Sequence, residues 1–164
     1  MKRERIIGAF FVALLLLVGL EIGLIAVFSQ AAWAPVIKLS WLNSASGVLG
    51  ILVGASLVLW SVSIQYTLGE GTPSPRVATR RLITTGPYAF TRNPMTFGAA
   101  CFYLGVAFWS GSVVVIALVL VIFTLLLTFI YFHETRELSA RFGPDYLEYK
   151  KQTPFLIPSI RRQK

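Results

Sequence analysis

Long apolar stretches separated by short polar segments make up most of this chain of 164 residues. Their lengths suit membrane-spanning helices, which need about 20 consecutive apolar residues. The first stretch contains one acidic residue, Glu21, which we expect to pair with a polar group on another helix because a charge inside a membrane is costly. The pattern predicts four spans, at about residues 6–28, 45–68, 95–109 and 113–132.

The third and fourth spans come from one apolar region, Met95 to Phe132, which is too long for a single crossing. As one helix it would measure about 57 Å, whereas the hydrocarbon core is roughly 30 Å thick. The Gly/Ser sequence at residues 110–112 predicts a turn, and so a helical hairpin. The first arm is too short to cross unaided. Either its start is recessed, or the loop before Pro94 dips into the bilayer, where irregular backbone is tolerated only if protein covers it or it lines a cavity.

Positive charge lies almost entirely on one side of these four spans. Of the 15 lysines and arginines, only Lys38 falls on the other side. The positive-inside rule therefore places both termini and the 70–94 loop in the cytosol. The net charge of +8 follows from this topology. Membrane lipids are the expected partners, and a nucleic-acid partner is not, because no nucleic-acid motif accompanies the charge.

Composition agrees with one all-α membrane domain over residues 1–164, a polytopic bundle of about four helices. Hydrophobic residues make up 55% of the chain and charged residues 13%, which is unlike a soluble domain of this size. The chain has one cysteine, Cys101, and one histidine, His133. A disulfide within the chain is excluded, and no metal site is expected, because zinc sites need three or four ligands.

Candidate chemistry concentrates in two cytosolic segments, residues 69–98 and 133–158. In the first, Gly86-Pro87-Tyr88 predicts a turn. Asn93 and Pro94 predict a helix start, with Asn93 as the cap. The exposed N–H groups of such a start favour an anionic group, and Arg92 can add a charge-assisted pair or serve only as a topology charge.

The second segment predicts an amphipathic helix interrupted at Gly143, with Pro144 opening another helix. Tyr146 and Tyr149 share one face of it, and one interpretation is an interfacial helix whose tyrosines lie on the membrane. Glu134 stands at the cytosolic end of the fourth span. Its carboxylate can accept hydrogen bonds from a ribose or stabilise an ammonium group, or it can be a solvated charge.

Together the two segments resemble the isoprenylcysteine carboxyl methyltransferases and the related phospholipid methyltransferases. The family's Leu-Val-x-x-Gly-x-Tyr and Arg-His/Asn-Pro-x-Tyr-x-Gly motifs read LITTGPY at residues 82–88 and RNPMTFG at residues 92–98. Its Glu-Glu-x-x-Leu-x-x-x-Phe-Gly-x-x-Tyr-x-x-Tyr motif reads ETRELSARFGPDYLEY at residues 134–149. A closing pair of prolines, Pro154 and Pro158, also fits. Residues 69–75 resemble those of bacterial members, which implies a bacterial-type inner membrane.

The resemblance implies a cytosol-facing pocket for S-adenosylmethionine that the C-terminal segment closes. It maps eight residues to the cofactor: Leu82, Ile83, Tyr88, Asn93, Pro94, Met95, Thr96 and Glu134. Three positions depart from the family. Thr96 stands where a tyrosine is usual, Thr135 replaces the second glutamate, and Ile130 replaces an arginine that eukaryotic members use for substrate. No catalytic residue is assigned.

The expected function is S-adenosylmethionine-dependent methylation of a lipidic or prenylated acceptor, with carboxyl O-methylation ahead of phospholipid N-methylation. A carboxylate acceptor is already nucleophilic and needs mainly alignment, whereas an amine must first lose a proton. Two alternatives stay open. One is a lipid or sterol reductase of related architecture, and the other is a non-catalytic membrane partner that retains the fold.

Overall fold

The structure, a computed structural model, describes residues 19–27, 40–69 and 81–159; of Ser40, His133 and Glu134 it describes the backbone alone. Every regular element in these ranges is a helix, as the sequence predicts. The elements are α1 (residues 19–27), α2 (Ser40–Thr67), a 3₁₀ helix (Gly86–Ala89), α3 (Pro94–Ser110) and α4 (Val113–Gln152).

Two of the described helices are long and apolar enough to cross a membrane: Trp41–Thr67 in α2 and Val113–Phe132 in α4. Only 22% and 11% of their most apolar windows are buried, so most of these side chains face outward. The core helix of a soluble protein would bury them, whereas a lipid-facing helix exposes them. These two helices match the second and fourth predicted spans, although α2 begins at Ser40 instead of residue 45.

The predicted hairpin is present in α3 and α4. α3 has 17 residues and a length of about 26 Å, so it is as short as the sequence indicated. The connecting Gly111 has a φ of 67°, a left-handed conformation that glycine adopts without steric cost. The Ser112 hydroxyl accepts the Val115 N–H at 3.4 Å and caps the start of α4.

The first predicted span lies mostly outside the described residues, and its described part, α1, is helical. Glu21 in α1 is 4% exposed. Neither of its carboxyl oxygens has a hydrogen-bond partner among the described residues. Tyr103 lies close enough for an electrostatic interaction with it. The expected polar partner for Glu21 and the total of four spans both stay predictions.

The chain divides into two compact units, each described on its own: Met1–Ala55 with Ala99–Thr124, and Ser56–Gly98 with Leu125–Lys164. The single domain predicted from sequence stays a prediction. The core of the first unit consists of Tyr103, Ala107, Val115 and Val119, from α3 and α4. The 5.8 Å between the ring centres of Tyr103 and Phe123 adds an aromatic contact between the same two helices.

Glycines bring α2 and α3 into backbone contact in the first unit. A Cβ atom placed on Gly105 would lie 2.7 Å from the Ile51 nitrogen and 2.8 Å from the Gly47 carbonyl oxygen. One placed on Gly50 would lie 2.9 Å from the Gly105 Cα atom. These distances leave no room for a side chain. Small residues at helix contacts are typical of membrane bundles, where close packing drives association.

In the second unit, α4 continues beyond its apolar part and bends at Gly143. Gly143 has φ 52° and ψ −125°, and Pro144 begins the next helical turn. This interruption is the one that the sequence predicts. α4 ends at Gln152, and residues 153–159 continue as irregular chain. The bend positions the last part of α4 and this irregular chain for the contacts described next.

Candidate functional site

The loop before α3 is held by residues 153–159, which we call the docked segment. The Arg92 N–H donates to the Pro154 carbonyl at 2.9 Å, and the Ser159 N–H donates to the Phe90 carbonyl at 3.0 Å. The Thr91 hydroxyl donates to the Phe155 carbonyl at 3.2 Å. The irregular backbone before Pro94 is therefore covered by protein.

Asn93 links the start of α3 to the docked segment. Its carbonyl accepts the Phe97 N–H at 3.0 Å, which is the first hydrogen bond of the helix, so Asn93 occupies the predicted cap position. Its side-chain Nδ2 donates to the Phe155 carbonyl at 3.1 Å. Asn93 is only 8% exposed. The residue thus has a structural role, whatever it also does for a ligand.

Tyr146 and Tyr149, on the last part of α4, face the same loop. They are 2% and 8% exposed, so the interpretation of these side chains as membrane-interface anchors is wrong. The Tyr149 hydroxyl donates to the Tyr88 carbonyl at 2.6 Å, which ties α4 to the 3₁₀ helix. Leu147 on the opposite face is exposed. The helix is amphipathic as predicted, but its tyrosine face is turned inward.

Arg92 reaches inward from the loop. Its Nη1 atom donates to the Tyr146 hydroxyl at 3.0 Å, and its guanidinium carbon lies 5.6 Å from the centre of the Phe155 ring. Its Nε atom is buried without a hydrogen-bond partner. No carboxylate among the side chains that the structure describes forms an ion pair with it. A guanidinium can bind an anion through charge-assisted hydrogen bonds.

These elements enclose a cavity in the second unit. It is lined by residues from α2, the loop, α4 and the docked segment: Gln65, Leu82, Ile83, Tyr88, Arg92, Asn93, Thr135, Leu138, Phe142, Tyr146, Tyr149 and Phe155. This cavity has a volume of about 70 Å³. Apolar and aromatic walls with a few polar groups are the usual lining of small-molecule sites.

The structure brings together half of the residues that the resemblance maps to a cofactor. Leu82, Ile83, Tyr88 and Asn93 line the cavity. Pro94, Met95 and Thr96 form the first turn of α3 and are not part of the lining. Glu134 lies on α4, and its side chain is outside the described residues. Thr135, the departure beside it, does line the cavity.

Two lining residues carry polar or aromatic chemistry that the sequence did not indicate. Gln65 lies in the last turns of α2, and its Oε1 atom is buried without a hydrogen-bond partner. The sequence signal that could have indicated Gln65 is a glutamine near the end of an apolar helix. Phe155 follows Pro154 in the docked segment and stacks on Arg92 and, edge to face, on Tyr131. Outside the cavity, the Glu148 carboxylate accepts hydrogen bonds from Gln152 and Lys151, which lower its pKa, with Gln152 having the larger effect.

Known proteins match this chain in sequence and in fold. Residues 42–145, more than half of the chain, match the family described as Phospholipid methyltransferase. The Protein-S-isoprenylcysteine O-methyltransferases of Mus musculus and Rattus norvegicus are each 29% identical to it over 140 residues. That alignment covers 79% of this chain and 46% or 45% of theirs, so the chain spans less than half the length of these relatives.

A solved structure of the eukaryotic intramembrane Ras methyltransferase ICMT (isoprenylcysteine carboxyl methyltransferase) is similar in fold. The TM-score is 0.56 at 26% sequence identity, and the match covers 77% of this chain and 45% of that one. The matched proteins are methyltransferases, as the motifs around the cavity indicated.

Proposed function

This chain belongs to the phospholipid methyltransferase family, and from that premise we propose that it transfers a methyl group from S-adenosylmethionine to a lipidic or prenylated acceptor. Carboxyl O-methylation is the first candidate, because the similar curated proteins are named isoprenylcysteine O-methyltransferases. N-methylation of a phospholipid is the second, because the matched family is named for phospholipids.

The observation that carries this proposal is the Arg92 guanidinium in an aromatic cavity, without an anion among the described residues. Arg92 would hold a carboxylate by charge-assisted hydrogen bonds. Leu82 and Ile83 would pack against an apolar ring, and the faces of Tyr88 and Tyr146 would favour a nearby cation. Together these groups would complement parts of a ligand with a carboxylate, a ring and a positive centre, of which one end would enter the cavity of about 70 Å³.

The residues of the cavity would act by alignment and exclusion of water. S-adenosylmethionine, when bound, supplies an electrophilic methyl group on a sulfonium. Because a carboxylate acceptor is already nucleophilic, no residue of this chain needs to act as a strong base in O-methylation. An amine acceptor would require a group to remove its proton, and we assign no such residue. The hydrogen bonds of the docked segment to residues 90–93 would keep water from the cavity.

The lipidic acceptor is supported by the outward faces of α2 and α4, where large apolar side chains are exposed. We further propose four spans and cytosolic termini, on the distribution of lysine and arginine, and a bacterial-type inner membrane, on the resemblance of residues 69–75 to bacterial members. Single cysteines at positions 2 and 164 in a Cys101→Ser background would test the orientation. Both should react with a membrane-impermeant maleimide only after the cells are opened, and labelling in intact cells would overturn it.

Calorimetry with S-adenosylhomocysteine tests the cofactor, and transfer of radiolabelled methyl groups tests the reaction. We expect purified protein to bind S-adenosylhomocysteine and to label either a prenylcysteine analogue or a phospholipid extract. Glu134→Ala should weaken binding, while Glu148→Ala on the exposed face of α4 should leave it unchanged. Well-folded protein without detectable binding would refute the proposal and favour the non-catalytic alternative. Oxidation of NADPH with an enone lipid would favour the reductase.

A further inference from the structure

Oε1 of Gln65 and Nε of Arg92 lie in the cavity lining and are buried without hydrogen-bond partners among the described residues. Buried polar groups in folded proteins are almost always satisfied, so these exceptions on one small cavity need an explanation. A ligand that supplies both missing partners is the explanation that we develop.

The two atoms have opposite requirements. The Gln65 amide oxygen accepts hydrogen bonds, whereas the Arg92 Nε–H donates one and carries positive charge. Arg92 is already fixed by the Tyr146 hydroxyl and the Phe155 ring, which leaves Nε for a further partner. The missing ligand groups are therefore a donor, best an ammonium, and an anion, best a carboxylate.

The size of the cavity limits which part of a ligand can occupy it. Its volume of about 70 Å³ is well below the roughly 300–1,000 Å³ of a complete small-molecule pocket. It suits one small polar end of a molecule. An ammonium and a carboxylate on one carbon atom are the two charged groups of an α-amino acid. S-adenosylmethionine carries both groups at one end, its amino-acid end.

We propose that Gln65 and Arg92 bind the amino-acid end of the methyl donor, with Gln65 accepting from its ammonium group and Arg92 donating to its carboxylate. The inference rests on the proposed function, because it assumes that this cavity binds S-adenosylmethionine. Gln65 lies on α2, outside the two segments that carry the family motifs. In this proposal it makes the site select the complete methyl donor over nucleosides that lack the amino-acid end.

The test compares two ligands that differ only beyond the thioether. S-adenosylhomocysteine contains the amino-acid end, and methylthioadenosine lacks it. We expect wild type to bind S-adenosylhomocysteine more tightly than methylthioadenosine. Gln65→Leu and Arg92→Gln should each reduce this ratio of affinities about 10- to 100-fold, which is the usual effect of losing a hydrogen bond to a charged group. The affinity for methylthioadenosine should not change, which also reports that each variant is folded. Gln65→Glu retains an acceptor oxygen and should retain the preference.

Two exposed residues of α4 provide matched controls. Gln152→Leu and Arg141→Gln make the same substitutions at exposed positions and should retain the preference of wild type. If wild type binds S-adenosylhomocysteine but Gln65→Leu or Arg92→Gln keeps the preference, the inference is wrong and the proposed function stands. The inference also fails if Gln65→Glu loses the preference. If wild type binds neither ligand, the proposed function fails as well.

A phospholipid headgroup can carry the same pair of charges, so phosphoethanolamine serves as a competitor. We expect it not to displace S-adenosylhomocysteine at concentrations where free methionine does. Displacement by phosphoethanolamine at lower concentration than methionine would assign Gln65 and Arg92 to the acceptor's headgroup and would overturn the inference.

Discussion

Replacing Gly105 by alanine tests whether the backbone contact between α2 and α3 determines the stability of the first unit. The added methyl group would meet the Ile51 nitrogen at 2.7 Å, the Gly47 oxygen at 2.8 Å and the Gly50 carbonyl carbon at 3.0 Å. All three are backbone atoms, so no side chain can rotate away. α2 and α3 have to move apart instead, and this movement weakens the van der Waals contacts between them around position 105.

The expected cost follows from two opposing effects. Forcing extra volume into a packed contact costs about 1–3 kcal/mol. Alanine also stabilises a helix interior by about 1 kcal/mol relative to glycine. Gly23→Ala isolates the second effect, because no atom lies within 4 Å of a Cβ placed on Gly23. The free energy of unfolding of Gly105→Ala should therefore be about 1–3 kcal/mol below that of Gly23→Ala.

Thermal unfolding in detergent measures this difference. The single cysteine, Cys101, is half-buried on α3, one turn before Gly105, so a thiol-reactive dye reports the opening of this contact. For a chain of this size the difference corresponds to a Tm lower by about 2–12 °C. A Tm of Gly105→Ala equal to or above that of Gly23→Ala would show that the two helices are not in the close contact described here.

Three further substitutions test the site and the bend in α4. Tyr146→Phe removes the hydroxyl that accepts a hydrogen bond from Arg92 and should weaken S-adenosylhomocysteine binding about tenfold. The control Tyr131→Phe should leave binding unchanged. Equal effects of the two substitutions would contradict the hydrogen bond between Arg92 and Tyr146. Phe155→Leu removes the ring beside the Arg92 guanidinium, a contact worth about 0.5–2 kcal/mol, and should weaken S-adenosylhomocysteine binding several-fold by calorimetry. An unchanged affinity would exclude a role for this contact in binding. A Cβ on Gly143 meets no atom within 4 Å, so the cost of Gly143→Ala should come from the positive-φ backbone alone, about 1–3 kcal/mol of unfolding free energy. An unchanged Tm would contradict the bend.

The features that the sequence predicts well are those in which one residue restricts its own backbone. Gly111 at the hairpin turn, Gly143 at the bend and Pro94 at the start of α3 all lie where their conformational preferences place them. The two long apolar helices are recognised equally well, because lipid exposure leaves a continuous apolar sequence. The motif-derived residues Leu82 and Tyr88 line the cavity, although the motifs did not show which other residues face them.

The features that the sequence does not predict depend on residues far apart in the chain. Gln65 became a candidate only because its amide oxygen is buried beside Arg92 in one cavity. The docked segment bonds to the loop before α3 largely through backbone carbonyls, which every residue carries and which leave no pattern in sequence. The contact between Gly50 and Gly105 likewise shows only when the two helices are side by side.

The hydrogen bonds between the loop before α3 and the docked segment can form only late in synthesis, because the two segments lie far apart in the chain. Asn93 precedes its partner Phe155 by 62 residues, and the hairpin of α3 and α4 lies between them. At about 5–20 residues per second, the ribosome adds Phe155 roughly 3–12 s after Asn93. During that interval the loop has no docked segment to hold Arg92. The cavity that Phe155 lines is therefore completed only after both arms of the hairpin have been made.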